Sequence, residues 1–272
     1  MEEYTIRILI CNDDGINAPG LHTLGRELAR IADVYVAAPS AEQSGASHGL
    51  TTTQPLRAHR QSLPGITDNA WAIDGTPADC AKLALEELLG FLPDVVVSGI
   101  NHGPNLGTDI IYSGTVAGAT EGYCSGCCAI AISAAGIRRG VGQANYEYAA
   151  RLAADICLQM AASDFKPKVF FNINVPGSVP EDIKGIKYTH MGWRWYTEPF
   201  IKRVDPRGND YYWLQGEFDD SKCGTGSDVE ACNAGYVSIT PLQLDHTDYG
   251  MLNELKNTGL FMPDRRHSAA EK

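Results

Sequence analysis

The chain opens on an apolar run, Ile6-Arg7-Ile8-Leu9-Ile10-Cys11, that stops at Asn12-Asp13-Asp14-Gly15. A short apolar run closed by turn residues reads as a buried strand and the turn after it. Leu21, Leu24, Leu28 and Ile31 then recur at the spacing of one helix face, and Val34-Tyr35-Val36-Ala37-Ala38 forms a second strand halted by Pro39. Strand, helix and strand within about 35 residues predict a βαβ unit with parallel pairing. The pattern repeats. Thr76-Pro77 opens a helix with Leu83, Leu85, Leu88 and Leu89 on its apolar side. Further strands are predicted over 94–98, 129–133 and 169–173, and helices over 115–122 and 146–160. Strands this continuously apolar suit a sheet covered on both faces. The predicted class is therefore α/β, with a mostly parallel sheet.

After about Pro176 the texture changes to aromatic, charged and turn residues, such as Trp193-Arg194-Trp195-Tyr196 and Tyr211-Tyr212-Trp213. Alternation with Gly and Pro punctuation predicts β-hairpins. The expected organisation is a core over 1–176 and a C-terminal extension over 177–272. The hairpins of the extension are expected to serve oligomer contacts or else to form a lid or core cover, and a late strand, Tyr236 to Thr240, is expected to return to the core.

Composition narrows the function. With 22 Lys+Arg against 33 Asp+Glu, the net charge is −11. That is a poor balance for gripping nucleic-acid backbone or an anionic membrane, so neither is expected as a partner. No basic segment leads into an apolar stretch, and no run approaches the roughly 20 apolar residues of a membrane span. The expected location is cytoplasmic, with the eight cysteines as reduced thiols. Cys124 and Cys127 form a lone CxxC with no second pair to complete a zinc set.

Candidate chemistry clusters after the strands, where ligands collect in an open parallel sheet. Asp13 and Asp14 are adjacent carboxylates, which a divalent cation would reconcile; the same segment also reads as a plain turn. The loop from Pro39 to Gly49, with the hydroxyls of Ser44 and Ser47, His48 and small residues such as Gly45, could supply a neutral oxygen ligand and close a pocket, or is simply a flexible loop. Ser98 to Gly107 brings Asn101 and Asn105, whose amides can serve a cation, a sugar or a phosphate; the same segment also reads as a buried structural turn. Tyr112-Ser113-Gly114-Thr115 opens a helix, a place suited to an anion and equally to a capping hydroxyl. Acids at one strand end and an anion cradle at another suggest metal-assisted phosphoester hydrolysis.

These segments, in this order, resemble the SurE (survival protein E) nucleotidase family. The likeness is carried by Asn12-Asp13-Asp14-Gly15, Ser44-Gly45, Gly75-Thr76-Pro77-Ala78-Asp79, Ser98 to Asn105 and Tyr112 to Val116. It extends through Asn172 to Pro176 and Gly235 to Pro241. The resemblance implies a Rossmann-like three-layer α/β sandwich with a protruding C-terminal part, assembled as a homodimer or homotetramer. It implies hydrolysis of nucleoside 5′- or 3′-monophosphates with one divalent cation per subunit, Mg2+ or Mn2+. Carried over by motif, Asp13, Asp14, Ser44 and Asn101 are the metal ligands. Asn12, Gly45, Ser113, Gly114 and Thr115 surround the phosphate, with Asn105 nearby. Asp13 is the candidate for orienting or deprotonating an attacking water, and an aspartyl-phosphate route competes. Asp79 is expected to be a structural partner within its helix. A broader phosphatase or an exopolyphosphatase on the same site is the alternative activity. Cys11 departs from the hydroxyl residue expected before Asn12, and His48 is a candidate general acid.

Overall fold

In a computed structural model the residues 5–135, 145–163, 165, 168–198, 200–214 and 216–258 are described. The strands and helices alternate as β1 (Arg7–Cys11), α1 (Pro19–Leu28), β2 (Asp33–Pro39), β3 (Ala58–Leu63), β4 (Thr67–Ile73), α2 (Pro77–Leu83), β5 (Val95–His102), α3 (Gly114–Cys124), β6 (Cys128–Ala134), α4 (Tyr146–Ala162) and β7 (Phe170–Val175). Then follow β8 (Ile186–Tyr188), β9 (Trp195–Thr197), β10 (Phe200–Val204), β11 (Asp210–Leu214), β12 (Glu217–Asp219), α5 (Asp228–Asn233), β13 (Val237–Pro241) and α6 (Tyr249–Thr258). The nine-stranded sheet runs β3-β4-β2-β1-β5-β6-β7-β13-β8. It is parallel from β4 to β7, with antiparallel pairings only at β3–β4 and β7–β13.

The period-two pattern of β1 explains the layering. Ile8 and Ile10 face Leu21, Leu24 and Leu28 of α1 and the alanines of α4. Leu9 and Cys11 face Cys80, Ala81 and Ala84 at α2. Both faces are buried, which is why the central strands read as unbroken apolar runs. The fold is the α/β, mostly parallel arrangement that the apolar runs predict.

The β3–β4 hairpin was not among the predicted strands. It lies at the sheet edge with most of β3 exposed, so its side chains show no apolar alternation. The one signal was Pro64-Gly65 at its turn. The helix expected through Leu89 ends as an α-helix at Leu83 and continues as a π-turn over Ala84–Leu88. Beyond β8, β10 pairs with β11 and β9 with β12, both antiparallel. The residues through Leu242 form one compact unit, and Gln243 onward, with α6, forms a second.

Candidate active site

The acidic pair leaves from the carboxyl end of β1, which has β2 on one edge and β5 on the other. Asp13 is buried. Its Oδ1 accepts from the Thr115 hydroxyl at 2.6 Å and its Oδ2 from the Thr115 amide at 3.1 Å. The carboxylate therefore rests on the first turn of α3, where unpaired amides favour an anion. Gly114 makes this approach possible. A Cβ there would lie 2.9 Å from the Asp13 Cβ and 2.9 Å from Pro77.

Asp14 Oδ2 accepts from the His102 amide at 3.0 Å, which joins the acids to the end of β5 and sets Asn101 next to them. A bulge between Gly99 and Asn101 interrupts the β5–β6 register. At Gly99 the φ of 143° and the carbonyl of Ile132, 2.3 Å from any added Cβ, leave room for glycine alone. The amide nitrogen of Asn101 donates to Gly103 O at 2.8 Å, leaving its carbonyl oxygen as the available end. The loop after β2 reaches the same place: Gln43 N donates to Asp13 O at 2.8 Å. Ser44 follows, its hydroxyl on Glu42 at 2.7 Å.

These groups concentrate negative charge. Burial pushes the Asp13 carboxyl up to about 6, with Asp14 adding to the rise and the Thr115 bonds opposing it. Asp14 is also raised by burial, with Glu42 contributing and the His102 amide opposing. Among the described residues no Lys or Arg pairs with either acid. Nor do the described residues hold three or more His, Cys, Asp or Glu side chains in one metal-binding group. Two carboxylates, a hydroxyl and an amide oxygen make an all-oxygen donor set, short of positive charge, which fits a hard divalent cation. The buried Asn12 Oδ1 has no hydrogen-bond partner, a second sign that a ligand belongs here.

Several residues take roles that sequence alone did not assign. Thr115 is fully buried and spends both its backbone and hydroxyl donors on Asp13, so it positions the acid. Ser113 caps α3 by accepting from Val116 N at 3.1 Å, which leaves its hydroxyl proton to donate. Asn12 donates one N–H to Gly15 O at 2.8 Å and keeps a second N–H and its unpartnered Oδ1 for a ligand. Asn105 is held inward by Asn174 and Ser133, both at 2.8 Å, and its carbonyl by Asn172. Gly45, with φ +74°, has open space around it.

Asp79 forms a capping box with Thr76 and also holds the amide and hydroxyl of Thr51 at 2.9 and 2.6 Å. Cys11 is fully buried, and burial pushes its thiol up to about 12, so it packs and does not react. His48 bonds Glu121 at 2.6 Å, far along α3 from the cradle. His102 and Glu42 went unassigned because one acts through its backbone and the other through proximity, neither of which residue type reveals. Beside His102 lies a cavity of about 680 Å³ lined by Tyr146, Tyr148, Arg26 and Arg151 among others.

A profile described as Survival protein SurE matches residues 8–198. Curated relatives named 5′-nucleotidase SurE include one from Heliobacterium modesticaldum, 46% identical over 252 residues, covering 93% of this chain and 91% of the relative. Another, from Synechococcus elongatus, is 44% identical over 264 residues, covering 92% and 98%. The crystal structure of the SurE protein from Aquifex aeolicus matches with a TM-score of 0.78 at 39% identity, over 93% of this chain and 99% of that one.

Proposed function

The chain belongs to the SurE family, and from that premise we infer that it is a metal-dependent 5′-nucleotidase, hydrolysing nucleoside monophosphates to nucleoside and phosphate. The observation that carries this reading is the uncompensated acidic pair: Asp13, buried on the first turn of α3, and Asp14, half-buried and held by the His102 amide. Asp13, Asp14, Ser44 and Asn101 would hold one divalent cation, Mg2+ or Mn2+ by their oxygen donors. Such a cation supplies charge neutralisation at the phosphoryl oxygens and lowers the pKa of adjacent water.

The chain's own groups do the rest. The Ser113 hydroxyl and the Gly114 and Gly45 amides donate to phosphoryl oxygens. Asp13 orients the attacking water and draws off its proton as the water oxygen bonds to phosphorus. The phosphorus–oxygen bond to the nucleoside breaks, and a proton returns to the nucleoside oxygen. Both Asp13 oxygens already accept bonds from Thr115, which supports a fixed, orienting carboxylate over a nucleophilic one. The cavity beside His102, where Tyr146 and Tyr148 stand with Arg26, Glu147 and Arg151, is the place on this side of Asp14 that could receive the nucleoside.

The chain assembles with copies of itself through its hairpins. Phe200 and Leu214 face each other across β10–β11 and are 62% and 74% exposed, and Trp213 is 60% exposed. Leu214 and Trp213 are successive in β11 and point to opposite faces, so both faces of this ribbon offer apolar surface suited to burial against another subunit. The protein works in the cytoplasm, where its eight free thiols stay reduced. Among the described residues no helix is long and apolar enough to cross a membrane.

The deciding experiment is phosphate release from a panel of mononucleotides, sugar phosphates and short polyphosphate, after chelation and with each metal restored. Preference for mononucleotides is expected; equal or faster release from polyphosphate or sugar phosphates would replace this reading with a broader phosphatase.

A further inference from the structure

The loop that carries Ser44 and Gly45 is an arch with two feet. One foot is Gln43, whose amide bonds Asp13 O. The other runs from Ser47 to Thr51. The Ser47 amide and hydroxyl bond the carbonyls of Tyr112 and Ile111 at 3.1 and 2.7 Å. The hydroxyl of Thr76 donates to Gly49 O at 2.7 Å. His48 Nε2 meets Glu121 Oε1 at 2.6 Å. Little apolar surface helps: Leu50 is 47% exposed and most of the arch is exposed with it. Hydrogen bonds, not core burial, hold its shape.

Within this foot the His48–Glu121 contact stands apart. Glu121 is buried on α3, eight residues past Ser113, which places it about 12 Å down the helix axis from the cradle. His48 thus spends this ring nitrogen away from the phosphate. The carboxylate is braced from its other oxygen by Lys82 of α2 at 3.5 Å, and Lys82 in turn bonds Glu86 at 2.6 Å. The Glu121 carboxyl is held below its usual range, chiefly by the His48 hydrogen bond. It is a charged acceptor fixed between two helices, with the arch hung from it.

We propose that His48 and Glu121 form a positioning latch that sets where the arch places Ser44 and Gly45 over the Asp13–Asp14 site. The functional part of this proposal rests on the nucleotidase reading above. His48 is on this account a positioning residue, and the candidate role of general acid is withdrawn from it.

The test compares wild type with His48→Ala, Glu121→Ala, the double variant and Glu121→Gln, which keeps an acceptor for His48. Phosphate release from a mononucleotide is followed across a metal titration. Each Ala variant is expected to need about tenfold more metal for half-maximal rate, as for other residues that orient a metal ligand, with kcat at saturating metal changed by less than about threefold. The double variant should be no worse than the weaker single, and Glu121→Gln should recover most of the loss. A fall in kcat of about a hundredfold or more with unchanged metal dependence would restore His48 as the acid and overturn the latch. Additive losses, or no change in any variant, would overturn it as well. Amide exchange over residues 43–51 supplies a readout independent of activity. It should quicken about tenfold in His48→Ala while α3 is unaltered, and unchanged exchange refutes the latch. If wild type released no phosphate from mononucleotides, the functional reading would fall and exchange alone would judge the latch. His48 is exposed, so its variant folds even where the buried Glu121→Ala does not.

Discussion

Asp13 and Thr115 stand 102 residues apart in the chain, and each of the two carboxylate oxygens of Asp13 takes a hydrogen from Thr115. The acid at the end of one strand is thereby set by the start of a helix that follows another. Asp13→Asn should abolish metal-dependent phosphate release, by about a thousandfold or more, with an unchanged circular dichroism spectrum. Thr115→Val removes only the hydroxyl bond and should cost about ten- to a hundredfold in kcat. An active Asp13→Asn enzyme would show that the acids are misassigned.

The Asp13 carboxyl sits at about 6 in the protein without metal. A cation must displace its proton, so the sign is fixed: affinity rises with pH up to that value and flattens above it. Titration calorimetry with Mn2+ from pH 5 to 8 should show about tenfold weaker binding per unit below the plateau. A flat profile would remove Asp13 from the ligand set.

Gly114→Ala ordinarily favours a helix. Here the new methyl would meet Asp13 and Pro77 at 2.9 Å. The expected outcome is a lower melting temperature together with most of the activity lost, read by thermal melts and phosphate release.

Asp79 holds Thr51 and caps α2. Burial alone would raise its carboxyl, but the Thr51 and Thr76 donors outweigh burial and hold it low. Its contribution is thus complete above the unfolded value of about 4 and fades as pH falls through its lower folded value. Asp79→Ala should cost about 1–2 kcal/mol at pH 7, and the gap in melting temperature to wild type should narrow at pH 3.

Replacing Phe200 and Leu214 together by Ser should shift the protein to a smaller species in analytical ultracentrifugation, with the core's melting behaviour retained. An unshifted distribution would move the subunit contact away from β10–β11.

Much of this was legible in the sequence, for a physical reason. Strands β1, β2, β5, β6 and β7 are buried on both faces, so their side chains could only be apolar, and the polar residues that follow them had to be turns or chemistry. Edge elements obey no such constraint, which is why Ala58–Leu63 gave no signal. The acids and the Ser113 cradle were visible as motifs. The division of labour was not: that Thr115 serves Asp13, that Asn105 is tied to Asn174, and that His48 reaches Glu121 are facts of distance. Asn172 and Asn174, fully buried on β7, did leave a trace, since amides in an apolar strand call for a partner.

The placement of β1 midway along the sheet, hemmed in on two edges and two faces, has a mechanical corollary. Backbone so enclosed opens only when the whole domain opens. The acids it delivers are an anvil that cannot yield to an incoming ligand. Whatever adjustment a turnover demands has to be made from the opposite side, by the exposed span bearing Ser44.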